Sequence, residues 1–265
     1  MSRRALITGA SAGLGVEFAR QLAGRGCDLL LVARRAERLA EVAERLARDY
    51  DVDAAIFAAD LANPAAPAAI EAHAAERGFE IDYLINNAGS AGPHLLADRD
   101  WPAQAAFLEL MMVSVAQMCH RFIPPMSRRG FGRVVNVASF AGRIAREEGA
   151  NYGPSKSYVI ALSEELALEV KRYGVHVSAL CPGFVHTDFH EVGALMEMKR
   201  GLPAWLWYDA ETVVREGLQA VERGRPIQVS GRLYRWLDPF VQSVWIRPLL
   251  KAVAPKRPSP TDSQD

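Results

Sequence analysis

The residues with the most evident chemistry are Tyr152 and Lys156, four positions apart in Tyr152-Gly153-Pro154-Ser155-Lys156, with Ser139 thirteen residues upstream. On a helix, residues four apart share a face and lie one turn from each other. An ammonium beside a phenol favours the phenolate and draws the tyrosine below its ordinary value of about 10. Such a phenol can exchange a proton with an alcohol or ketone oxygen, and Ser139 can donate a second hydrogen bond to that oxygen. Tyrosine and lysine also meet at this spacing by chance, so the reading depends on the elements that carry them.

Those elements alternate. Residues 4–8 read as a buried strand, followed by Thr8-Gly9-Ala10-Ser11-Ala12-Gly13-Leu14-Gly15 and a helical pattern that stops at Gly24 and Gly26. Strand, glycine-rich turn and helix form a phosphate-binding arrangement: the glycines admit the phosphates to the backbone, and the helix start offers free N–H groups and a positive dipole end. Residues 28–33 read as a second strand, with Arg34 and Arg35 at its end. An acid there would bond a ribose 2′-hydroxyl, whereas the guanidinium of Arg34 suits the 2′-phosphate of NADP. Further strands are expected near 53–58, at 82–86, 133–138, 175–180 and 227–229, separated by helices at 36–48, 64–77, 101 to the 120s, 152–173 and 209–223. Asp100-Trp101-Pro102 is a helix start, with an N-cap candidate and proline in the first turn. This alternation predicts an α/β fold with a doubly wound, Rossmann-type parallel sheet of about seven strands and helices on both faces. The candidate residues fall at the C-terminal ends of strands or on the element that follows, where open α/β sheets bind ligands.

Composition narrows the class. The 265 residues are half hydrophobic and carry no net charge, so nothing global points to nucleic acid. Cys27, Cys119 and Cys181 are too few and too scattered for a disulfide framework, and no Cys/His cluster points to a metal. Buried thiols in a reducing cytoplasm are the simplest reading. No signal peptide is expected, and no apolar run approaches the ~20 residues of a spanning helix.

Taken together, Thr8–Gly15, Asp60, Asn86-Asn87-Ala88-Gly89, Ser139, Tyr152/Lys156 and Pro182-Gly183 resemble the short-chain dehydrogenase/reductase family over about residues 4–190. The resemblance implies a nicotinamide cofactor, here NADP(H), a small carbonyl or alcohol substrate, and a homodimer or homotetramer. It implies that Tyr152 is the general acid/base, that Lys156 binds the nicotinamide ribose and lowers the tyrosine pKa, and that Ser139 polarises the carbonyl. Gly9, Ser11, Gly13, Leu14 and Gly15 would bind the phosphates, and Asp60 and Leu61 would face the adenine. Asn87, Ala88 and Gly89 would line the ribose, and Pro182, Gly183, Val185 and Thr187 the carboxamide side. One position departs. Where the family has an asparagine after a valine, holding a water that feeds protons to the lysine, the matching pair reads Val113-Ser114, so Ser114 joins the candidate site with a shorter side chain. A non-catalytic NADP-binding sensor or scaffold is the alternative that this departure raises.

The C-terminal part carries the variable features. Met196, Met198, Leu202, Trp205, Leu206 and Trp207 fall in or near the expected substrate loop (about 184–208) and suit a bulky apolar ligand such as a 3-oxo lipid, an acyl derivative or a steroid-like molecule; packing on the protein's own core is the other reading. Ser90–Pro93 and Phe140–Glu148 would form the opposite wall. Residues 1–231 are expected to form the one Rossmann-type domain. Residues 232–254 follow as an amphipathic extension, bent at Pro239 or Pro248, with a basic fringe (Arg232, Arg235, Arg247, Lys251). That segment would cover the pocket or a subunit interface, or make a peripheral membrane contact. Residues 255–265 read as a disordered tail.

Overall fold

A computed structural model describes residues 2–144, 151–186, 204–243 and 245. Seven strands form one parallel sheet: β1 (Arg4–Thr8), β2 (Asp28–Ala33), β3 (Ala54–Ala58), β4 (Tyr83–Asn86), β5 (Gly132–Val137), β6 (Val175–Cys181) and, beyond two short strands, β9 (Ile227–Val229). Their order across the sheet is β3-β2-β1-β4-β5-β6-β9. β1 pairs with both β2 and β4, so the chain winds outward in both directions from it and a crevice opens at the strand C-termini beside β1. The short strands β7 (Phe184–His186) and β8 (Trp207–Asp209) pair in parallel as a separate ribbon that the alternation did not predict.

β2 is buried on both faces, as a central parallel strand must be: Leu29, Leu30, Leu31 and Val32 are fully enclosed. One face packs against α1 (Gly13–Ala23), α2 (Ala36–Tyr50) and, later in the chain, α7 (Ala210–Glu222), with Phe18, Leu22, Leu39, Leu46, Val214 and Leu218 in that core. The other packs against α3 (Ala66–Glu76) and the long helix built from α4 (Trp101–Leu108) and α5 (Ser114–Arg129). Asp100 caps α4 by accepting from the Ala103 N–H at 3.1 Å, as its sequence position predicts. α6 (Tyr152–Val170) completes this layer, and the chain leaves it through Gly174 in the left-handed region.

The 101–129 helix corrects two expectations. By length and composition it is apolar enough to cross a membrane, but it serves as a packing helix, with Phe107, Met111, Met118, Phe122 and Met126 buried. It is also not regular: Glu109–Val113 form a π-helical turn between α4 and α5. The C-terminal helix α8 (Arg232–Gln242) contains Pro239 and ends before Ser243; positions 246–265, with the expected second bend and tail, lie outside the described residues.

Candidate active site

The β1–α1 turn is built for close approach. Gly9 has φ +66°, which a side chain disfavours, and a Cβ on Gly15 would lie 2.1 Å from the Gly9 carbonyl oxygen. No side chain caps α1 at Ala12, so its first-turn amides keep their capacity for an anion. The Asn87 loop braces this turn. The Thr8 hydroxyl accepts from the backbone N–H groups of Asn87 (2.9 Å) and Ala88 (3.1 Å), and Asn87 Nδ2 donates to the carbonyls of Thr8 (2.9 Å) and Gly9 (3.3 Å). Asp60 shapes the β3 exit by accepting from the Ala62 N–H at 3.0 Å, and Leu61 is buried. At the end of β2 both Arg34 and Arg35 are exposed, and Arg35 donates to Ser11 Oγ of the β1–α1 turn at 3.2 Å.

Ser139 follows β5 and starts a short 3-10 turn, Phe140–Gly142, with its Oγ accepting from the Ala141 N–H at 3.1 Å. Lys156 comes from the first turns of α6. Its Nζ donates to the carbonyl of Val137, two residues before Ser139, at 2.8 Å, and lies 5.8 Å from the Tyr152 ring centroid. The ammonium is buried, and desolvation pulls it down from 10.5 to about 8, with Cys181 opposing slightly. α6 is held to β5 by a buried chain of amides: Asn86 Nδ2 donates to Asn136 Oδ1 (2.8 Å) and Asn136 Nδ2 to Ser163 Oγ (2.9 Å). Its start is tied by Asn151 Nδ2 to the buried Gln104 Oε1 at 2.8 Å.

The Ser114 hydroxyl donates back to the Leu110 carbonyl at 2.8 Å. Met111 Sδ and Lys156 Nζ both face Gly89, at 3.3 and 3.8 Å from the point a Cβ there would occupy, and Sδ accepts from the Ser90 N–H at 3.4 Å. Met111 belongs to the π turn, which ends immediately before Ser114.

On the far side, the Pro182 carbonyl accepts from the Phe140 N–H at 2.8 Å, joining the Ser139 turn to the Pro182-Gly183 turn. Val185 is a buried core side chain, which leaves only its backbone for a ligand. Thr187 and the loop residues Met196, Met198 and Leu202 lie outside the described residues. Trp207 is buried against Phe184 at 5.1 Å between ring centroids, whereas Trp205 is exposed. Among the described residues no group of His, Cys, Asp or Glu could hold a metal.

A model of the short chain dehydrogenase family matches residues 3–195. The chain belongs to that family. It is 31% identical over 195 residues to a D-beta-hydroxybutyrate dehydrogenase of Rhizobium meliloti, covering 72% of this chain and 74% of the relative. Among solved structures, a short-chain dehydrogenase from Sphingobium yanoikuyae in complex with NADPH is 27% identical with a TM-score of 0.77, covering 98% of this chain and 99% of the other. An F189W actinorhodin polyketide ketoreductase with NADPH is 28% identical with a TM-score of 0.75, covering 86% and 95%. The protein is thus a short-chain oxidoreductase with a Rossmann-type α/β fold.

Proposed function

We propose that this protein is an NADP(H)-dependent carbonyl reductase or alcohol dehydrogenase acting on a hydrophobic ketone or secondary alcohol. The observation that carries the reading is the buried Lys156 ammonium, fixed to the strand that delivers Ser139 and held 5.8 Å from the centre of the Tyr152 ring. The glycine cradle at Gly9 and Gly15, the uncapped start of α1 and the Asn87–Gly89 loop fit a dinucleotide. The NADPH complexes of the two related structures, together with arginines rather than an acid after β2, support the phosphorylated form.

Bound nicotinamide supplies the hydride to the carbonyl carbon. Tyr152 gives its phenolic proton to the carbonyl oxygen as negative charge grows there, and takes it back in the oxidative direction. Lys156, charged below about pH 8, stabilises the phenolate that remains. The Ser139 oxygen already accepts from Ala141, which leaves the hydroxyl proton to be donated to the substrate oxygen. Gly9, Ser11, Gly13, Leu14 and Gly15 hold the phosphates, Arg34 and Arg35 the 2′-phosphate, Asp60 and Leu61 the adenine, Asn87, Ala88 and Gly89 the ribose, and Pro182, Gly183, Val185 and Thr187 the carboxamide side. A cytoplasmic homodimer or homotetramer completes the reading; its support is the family and three buried, free thiols.

The experiment is NADPH oxidation with a homologous series of aliphatic ketones, using wild type and Tyr152→Phe. Wild-type kcat/KM should rise with chain length, up to about fourfold per buried CH2. Tyr152→Phe should lose roughly 10²–10⁴-fold in turnover and keep its NADPH affinity. A Phe variant as fast as wild type would remove Tyr152 from the mechanism, and a flat series would place the loop side chains in the protein's own core.

A further inference from the structure

We propose that α8 is a positioning strap for the active site: the Arg143–Asp238 ion pair holds the turn that carries Ser139, and Tyr234 holds the turn at Pro182-Gly183. The inference rests on the function proposed above and extends it to residues outside the family's motifs. Arg143 ends the 3-10 turn that Ser139 begins. Its guanidinium meets the Asp238 carboxylate as a two-pronged fork, Nη2 to Oδ2 at 2.8 Å and Nε to Oδ1, with the side chains only 14% and 18% exposed. The backbone carbonyl of Arg143 also accepts from Gln242 Nε2 at 2.6 Å, so α8 grips this residue by side chain and main chain together.

Tyr234 is the second grip. It is the buried residue of α8, and its ring lies 5.1 Å from that of Phe140, the neighbour of Ser139. Its hydroxyl accepts from the Phe184 N–H at 3.4 Å and donates to the Leu206 carbonyl at 3.1 Å. The ring leaves no room beside Gly183, where a Cβ would come within 2.1 Å of it. Three segments bordering the site, 139–143, 182–184 and 206–208, therefore converge on one helix. That helix is itself fixed to the rigid layer, because Glu216 of α7 accepts from the Gly231 N–H at 3.2 Å and pairs with Arg235 at 2.7 Å.

The chemistry of the fork argues for positioning. A mostly buried ion pair contributes little net stability, since desolvation offsets the attraction, but its two parallel hydrogen bonds fix orientation. What it orients here is the turn whose first residue offers a hydroxyl to the reacting oxygen. A displacement of the order of 1 Å at such a group costs on the order of 100-fold in rate.

Asp238→Asn keeps the shape and removes the charge, and is compared with wild type in two measurements. The first is steady-state reduction of 2-decanone beside NADPH affinity by fluorescence. kcat/KM for the ketone should fall on the order of 10- to 100-fold with NADPH affinity within about twofold, and the exchange Arg143→Asp with Asp238→Arg should recover part of the loss. The second is hydrogen–deuterium exchange without any ligand. The amides of Ala141, Gly142 and Arg143 should exchange at least about tenfold faster, while those of β1 and α1 stay as they were. Unchanged exchange at 141–143, loosening spread over the whole sheet, or a kcat/KM within twofold of wild type would overturn the strap. If wild type reduces no ketone, the proposed function falls, and the exchange pattern alone decides the strap.

Discussion

Met111 offers the sharpest test of how the lysine works. Burial brings the Lys156 ammonium from 10.5 to about 8, which corresponds to roughly 3 kcal/mol against the charged form. One of its N–H groups is satisfied by the Val137 carbonyl. Its Nζ and the thioether of Met111, a weak acceptor, both face Gly89. The lysine is charged below about pH 8 and neutral above it, so support for the Tyr152 phenolate is present at lower pH and is lost as pH rises through 8. Met111→Asn puts an amide oxygen where the sulfur stands. A hydrogen bond to a charged group contributes about 1.5–3 kcal/mol, or one to two pH units. The basic limb of kcat/KM for NADPH, measured at saturating ketone so that it reports the free enzyme, should therefore move from about 8 to between about 9 and 10. Met111→Leu, equally apolar and close in volume, should leave the limb in place. An unmoved limb in the Asn variant, or one that moves downward, would show that position 111 does not act on the charge of Lys156.

The cofactor side yields two further expected outcomes. Gly15→Ala should lose at least about tenfold in NADPH affinity, since its Cβ has 2.1 Å to the Gly9 carbonyl oxygen and the turn must open to admit it; fluorescence titration reads this directly. Charge reversal at Arg35 should cost one to two decades in NADPH affinity and leave NADH unchanged. The same change at Arg34 should cost less, because Arg35 is the one that bonds Ser11 on the phosphate turn; equal losses would return the main role to Arg34.

The legible parts of this chain are those where local spacing and three-dimensional neighbourhood agree. Strand positions are readable because central parallel strands such as Leu29–Val32 are enclosed on both faces and so run as unbroken apolar stretches. Tyr152 and Lys156 are readable because four residues on a regular helix have one geometric meaning. The position of Met111 facing Gly89 escapes a sequence reading for the opposite reason. It lies in a π turn, and nothing in Glu109-Leu110-Met111-Met112-Val113 announces one. Arg34 and Arg35 are adjacent in sequence and diverge only through the path of the β2 exit, so type and position alone do not separate them. The β7–β8 ribbon is invisible in the sequence because its three-residue strands owe their pairing to tertiary packing on Tyr234 and not to any pattern of their own.

The same distinction bears on how substrate choice is built. The β1–α1 turn, the Asn87 loop and the Lys156 contact are made at neighbours in the sheet order, β1, β4 and β5, and are braced by hydrogen bonds accepted by β1 and β5, with Lys156 reaching β5 from α6. The proposed substrate side has no such frame: Phe140, Arg143, Gly183, Phe184 and Leu206 come from segments that follow β5, β6 and β7 or open β7, and their shared feature is contact with α8. A helix added after the last strand can thus be changed without touching the cofactor cradle or the proton-transfer residues. Replacing Tyr234 by Phe should accordingly alter the ranking of ketones by chain length, since it releases Phe184 and Leu206 while keeping the ring that fills the space beside Gly183. NADPH affinity should hold within about twofold, because no bond to the phosphate turn is broken. A ranking that stays the same while NADPH binding weakens would show that α8 serves the cofactor side instead.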